Sequence, residues 1–62
     1  MLTEKQKYRL KQQIHPGLWL LERERRANYF IKKEMLLNDE KAIEEVSIIA
    51  GVPKEKLNGG NW

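Results

Sequence analysis

Apolar positions recur along the chain at helical spacing, and no segment alternates apolar and polar with a period of two. Leu10 and Ile14 share a face four residues apart. Before them, Thr3 and Gln6 fit a capping box, in which the Thr hydroxyl accepts from the amide three residues on and the Gln side chain reaches back. His15-Pro16-Gly17 closes the segment, since the residue before a proline is driven out of helical geometry. A first helix is expected over 3–14.

From Leu18 to about Leu37 there is no Gly or Pro, and Glu22 precedes Arg26 by one turn in the orientation that suits the helix dipole. A long second helix is expected there. Its core face is Leu20, Ala27 and Ile31, flanked by Met35 on one side and by Trp19, Phe30 and Leu37 on the other. Asn38 or Asp39 caps a third helix whose Ala42, Ile43, Val46, Ile49 and Ala50 line one side. Gly51 is its natural stop, in a left-handed conformation, with Val52 as the apolar follower. Pro53 fits the first position of a short fourth helix, PKEKL, which Asn58-Gly59-Gly60 ends. The expected fold is all-α, a small bundle of three helices plus a short C-terminal helix. Leu20, Ala27, Ile31, Ile43, Val46 and Ala50 form the centre of its core.

Length limits the stability of the fold. A chain of 62 residues forms one small domain, with 58–62 as a flexible tail, and a domain this size buries only about 60% of its unfolded surface. There is no cysteine, so neither a disulfide framework nor a thiolate metal site adds stability. Association with a partner or a second copy is a remaining source. No apolar run approaches the length of a membrane span, and the N-terminus lacks the apolar stretch of a signal peptide, so a cytoplasmic protein is expected.

Charge divides the chain. Residues 1–33 carry nine Lys and Arg against three Glu, a balance of +6, while residues 34–62 carry three Lys against six Asp and Glu, a balance of −3. A basic half suits a phosphate backbone or an acidic partner, although such a balance is also common on soluble surfaces. On the second helix Arg25, Arg26, Tyr29, Lys32 and Lys33 gather opposite the core face, and Lys54 and Lys56 follow on the short helix. Cations interleaved with an aromatic ring can follow phosphates, with Tyr29 bonding to one or lying along a sugar. The other reading is a solvated face on which aliphatic stems cover Tyr29.

Candidate catalytic chemistry is sparse. Nucleophilic catalysis needs a Ser, Thr or Cys beside a base, and the single histidine, His15, falls in a turn beside proline, where solvent exposure is expected. Glu44 and Glu45 lack a recognised ligand spacing with it, and Gly59-Gly60 lacks the lysine and helix of a phosphate loop. No enzyme activity, metal or cofactor is expected. Ile48 departs from the apolar side of its helix, lying about 140° from Ile43 and toward Lys41, Glu44 and Glu45. Its expected place is in the core, under the first or fourth helix. Otherwise Ile48, Glu44, Glu45 and the terminal Trp62 would offer a protein partner its surface.

Residues 43–57 resemble a helix-turn-helix motif. Val46, Ala50, Val52 and Leu57 take its buried positions, Ser47 the place of a small residue where helices cross, and Gly51 that of the turn glycine. In that family the second helix runs on for two more turns and presents polar side chains to base edges, whereas here Lys54, Glu55 and Lys56 precede the break and Gly60 replaces an apolar residue. In size, charge density and helical pattern the chain also resembles the short regulatory proteins of phages and other mobile elements. These features imply a small regulatory module that associates with nucleic acid. The alternative is a protein-interaction module, an inhibitor or adaptor, that uses the corner only as structure.

Overall fold

The computed structural model describes residues 1–58. Three α-helices, α1 (Glu4–Gln13), α2 (Leu20–Lys33) and α3 (Glu40–Ala50), precede a single 3-10 turn at Lys54–Lys56, and no strand occurs among the described residues.

The first helix starts as its capping box requires. The Gln6 amide donates to Thr3 Oγ1 at 3.1 Å and the Thr3 amide donates to Gln6 Oε1 at 2.9 Å. It ends before Pro16 with Ile14 already extended, and Leu10 is its fully buried contact with the core.

The second helix is shorter than expected at both ends. Trp19 caps it with extended backbone and no side-chain hydrogen bond, and the helix stops at Lys33 rather than near Leu37. The stop is a backbone device. Met35 takes a left-handed conformation, φ 57°, which lets the Leu36 amide reach back to the Ile31 carbonyl at 2.9 Å. Leu36 then turns inward to 8% exposure, while Met35 stands out at 87% and Leu37 at 52%. Met35 and Leu37 therefore do not flank the core, and burial of Leu36 offsets the cost of placing a non-glycine residue in left-handed geometry.

The third helix is capped by Asp39, whose Oδ1 accepts from the Ala42 amide at 3.0 Å. That amide holds the Asp39 carboxyl below the usual aspartate value; desolvation opposes the shift, and the Met1 ammonium, 3.4 Å from Oδ2, adds to it. At the other end Gly51 is left-handed, φ 67°, as the sequence leads one to expect. The amides of Gly51 and Val52 both donate to the Ser47 carbonyl, and Ser47 Oγ donates to the Val52 carbonyl at 2.6 Å. Pro53 sits just before the last turn with extended ψ, 138°, instead of inside a helix, and the fourth helix is reduced to the three residues of the 3-10 turn.

The core forms where α3 meets α1, α2 and the C-terminal turn. Ala27, Ile31, Ile43, Val46 and Ala50 are buried at its centre, joined by Phe30, Leu10 and, beyond the expected set, Leu2 and Leu36. Leu20 is the exception among the six residues expected there. Its direction around α2 matches that of Ala27 and Ile31, but as the first residue of the helix it lies beyond the packed stretch and is 46% exposed. Trp19, outside the helix, is 82% exposed. Val52 and Leu57 are buried too, and with Val46 and Ala50 they close the corner between α3 and the C-terminal turn.

Among the described residues, one buried residue is polar. Asn28, on α2, is fully buried, and its Nδ2 donates to the Glu24 and Lys56 carbonyls, each at 2.9 Å. Its Oδ1 accepts from the Asn58 amide at 3.0 Å. Burying an amide is costly unless its groups are paired. These bonds pair them while fastening the last described residues to α2.

Candidate nucleic-acid interface

The face of α2 turned away from the core carries Arg25, Tyr29, Lys32 and Lys33, all exposed. No Gly or Pro interrupts them, so helical spacing alone fixes their order along about 12 Å of axis. Tyr29 is 57% exposed, and the Lys33 ammonium lies 5.9 Å from its ring centroid, near the outer limit of a cation–π contact. The ring is thus partly accompanied by one stem without being covered.

Arg26 belongs to a different part of the structure. Its Nη1 donates to the Gln13 carbonyl at 2.9 Å, satisfying a carbonyl at the end of α1, and Nη2 lies 3.8 Å from Glu22. It joins α2 to α1. Nothing local in the sequence indicates this, because the partner carbonyl lies 13 residues away.

Two residues join the face that sequence reasoning assigned to the core or passed over. Trp19 and Leu21, the latter 54% exposed, bound a shallow cleft of about 250 Å³ together with Glu22 and Arg25. A signal for Leu21 existed, since at 100° per residue it falls about 40° from Arg25 and about 20° from Lys32. For Trp19 the apolar run LWLL hid it.

Lys54 and Lys56 are exposed on the 3-10 turn. The bond from Asn28 to the Lys56 carbonyl sets this turn against the flank of α2, one helical turn before Lys32. Six of the seven proposed contact residues are therefore exposed on α2 and the adjacent turn, while the half-buried Arg26 links α2 to α1.

The alternative surface lies on α1 and α3. Ile48 is 75% exposed, so neither α1 nor the C-terminal turn covers it, contrary to its expected place in the core. It borders one cleft with Lys7, Lys11 and Glu45, a second with Met1, Lys41 and Glu44, and a third of about 390 Å³ with Ile14, His15 and Arg23. Glu44 is exposed; Glu45 is half-buried, and its Oε2 is 3.9 Å from Lys7 Nζ without a hydrogen bond. Trp62 lies outside the described residues. His15 is exposed in the turn after α1.

Among the described residues no group of three or more His, Asp or Glu side chains converges as metal ligands, and no helix is long and apolar enough to cross a membrane. No protein-family model matches the chain, and no curated protein or solved structure matches it either.

Proposed function

We propose that the protein is a small, non-enzymatic regulatory module that associates with nucleic acid through the outer face of α2. The observation that carries this reading is the grouping of Arg25, Lys32 and Lys33 with the exposed ring of Tyr29 on the exposed side of α2, with Lys54 and Lys56 on the adjoining turn. Cations of this kind bind phosphate by releasing its counterions, and the aromatic ring adds a surface for sugar or base. The helix-turn-helix likeness supports the reading less. Its corner is packed, but a three-residue 3-10 turn stands where that family places a groove-reading helix. Binding without strong sequence preference follows from this arrangement.

The test is fluorescence anisotropy with labelled nucleic acid at two salt concentrations, comparing the wild type with Arg25→Gln/Lys32→Gln. Affinity should fall with salt, and each phosphate that the variant no longer neutralises should lower the slope of log affinity against log salt by about 0.9 for duplex or about 0.7 for single strands. Circular dichroism checks that helicity is retained. No binding by the wild type at low salt, or an unchanged slope in the variant, overturns the reading.

A second reading has its own observation, the exposed Ile48 at the meeting of three clefts with Glu44 and Glu45 beside it. On that reading the protein is an inhibitor or adaptor, or pairs with a second copy, through α1 and α3. Ile48→Asp should then abolish association with the protein partner, and high salt or nuclease should leave the wild-type complex intact.

A further inference from the structure

We infer that the ligand of the α2 face is single-stranded nucleic acid, with unpaired bases stacking on Trp19 and Tyr29 while the phosphates pass Arg25, Lys32 and Lys33. This rests on the nucleic-acid reading above and narrows it to a strand type. Trp19 carries the inference. Its backbone supplies the extended geometry that precedes α2, whereas its indole caps nothing and is 82% exposed. A large aromatic ring held in water beside a helix start contributes little to the fold, and is suited to a planar partner.

The surroundings match that partner. Leu21, Glu22 and Arg25 bound the cleft beside the indole, and the aliphatic side of Leu21 offers the face of a base an apolar contact. Tyr29 lies one helical turn beyond Arg25, so the order along the face is aromatic, acid, cation, aromatic, cations, the acid being Glu22, whose Oε1 lies 3.8 Å from Arg26 Nη2. The backbones of Trp19, which precedes α2, and Tyr29 are ten residues apart, about 15 Å of helical rise, a span that an extended strand can cross with phosphates set between two stacked bases.

A duplex makes poorer use of the same face. Its bases are stacked on one another, so Trp19, Leu21 and Tyr29 would meet sugar, phosphate or groove edges, and their apolar area would find no stacking partner. The described C-terminal turn offers no helix to enter a major groove instead.

The test uses the full chain with Trp62→Phe, so that intrinsic emission reports Trp19 alone. A short oligothymidylate, a short oligouridylate and a mixed-sequence duplex are titrated at low salt, following both anisotropy and emission. Single strands should bind more tightly than the duplex and quench Trp19, and the preference between the two strands tells DNA from RNA. Trp19→Ala should weaken single-strand binding between about 5- and 150-fold, the range expected for one base–aromatic stack, and leave duplex affinity unchanged. Trp19→Phe should restore most of the loss. Equal or tighter duplex binding, a Trp19→Ala loss common to both strand types, or binding without quenching overturns the single-strand inference while leaving the nucleic-acid reading in place. Absence of binding to every probe overturns both. Quenching in the chain that retains Trp19 decides the matter even if the alanine variant fails to fold.

Discussion

The Asn28 side chain donates through Nδ2 to the main-chain carbonyl of Lys56 at 2.9 Å, joining α2 to a turn 28 residues later in the sequence. The same side chain accepts from Asn58, so a single buried amide orients the segment that carries Lys54 and Lys56. Asn28→Ala should leave the Lys56 carbonyl and the Asn58 amide without these partners, at a cost on the order of 1–3 kcal/mol for each group that water does not reach. Urea unfolding measures that cost. Hydrogen exchange should also show the Leu57 and Asn58 amides losing protection before those of α3, and unchanged protection there would mean that other contacts hold the turn.

Met35 gives a prediction of opposite sign. Left-handed geometry disfavours a side chain by roughly 1–2 kcal/mol, while glycine gives the unfolded chain extra freedom worth about 0.5–1 kcal/mol. Because Met35 is 87% exposed, its removal takes away little packing. Met35→Gly should stabilise the protein by about 0.5–1 kcal/mol and raise Tm by several degrees. A lower Tm would show that the methionine side chain contributes where its exposure says it does not.

What the sequence reveals and what it conceals divide along the range of the interactions. Thr3 with Gln6, Asp39 before α3 and Gly51 after it are local devices, and each works as its neighbours suggest. The apolar sides of α2 and α3 are legible in Ala27, Ile31, Ile43 and Val46, because helical period alone aligns them. Periodicity gives direction but not depth, so Leu20 reads as core although it lies beyond the packed stretch, and Trp19 reads as its flank. The end of α2 at Lys33 has no glycine to announce it; burial of Leu36 imposes the turn. Arg26 and Asn28 have partners 13 and 28 residues away, and only the assembled fold shows that Arg26 links α2 to α1.

The contrast between depth and direction can be measured. Ile31 has no exposed surface, and Ile31→Ala should cost on the order of 2–5 kcal/mol, enough to unfold much of so small a protein. Leu20→Ala should cost less than about 1 kcal/mol, since about half of its side chain already meets water. Thermal melts of the two variants should separate clearly; similar losses would return Leu20 to the core.

Asp39 sets an acid dependence. Its carboxyl titrates below the usual aspartate value because the charged form accepts from the Ala42 amide, with the Met1 ammonium assisting. The folded state therefore holds the proton less tightly than the unfolded state. The resulting stability is present in full above the unfolded value, about 4, and is lost as pH falls through the lower folded one. Asp39→Asn keeps a capping oxygen but no titrating charge. Wild type should lose more Tm than the variant as pH falls through that window, and parallel curves would show that the cap does not titrate.

Arg26 and Lys32 should separate structural from binding charge. Arg26 Nη1 bonds the Gln13 carbonyl at 2.9 Å and its other terminal nitrogen faces Glu22, so Arg26→Gln removes a link between α2 and α1. Hydrogen bonds from charged groups contribute about 1.5–3 kcal/mol, and partial exposure places the expected loss near the lower end of that range. Lys32 is exposed near the end of α2, and Lys32→Gln should change stability by no more than about 0.5 kcal/mol. Nucleic-acid affinity should show the reverse order. Losing Lys32 should weaken binding and flatten its salt dependence, whereas Arg26→Gln, measured well below its own Tm, should leave both nearly unchanged. If Arg26→Gln weakens binding as much as Lys32→Gln while the fold stays intact, Arg26 reaches the ligand too, and the division between holding the helices together and holding the phosphate fails at that residue.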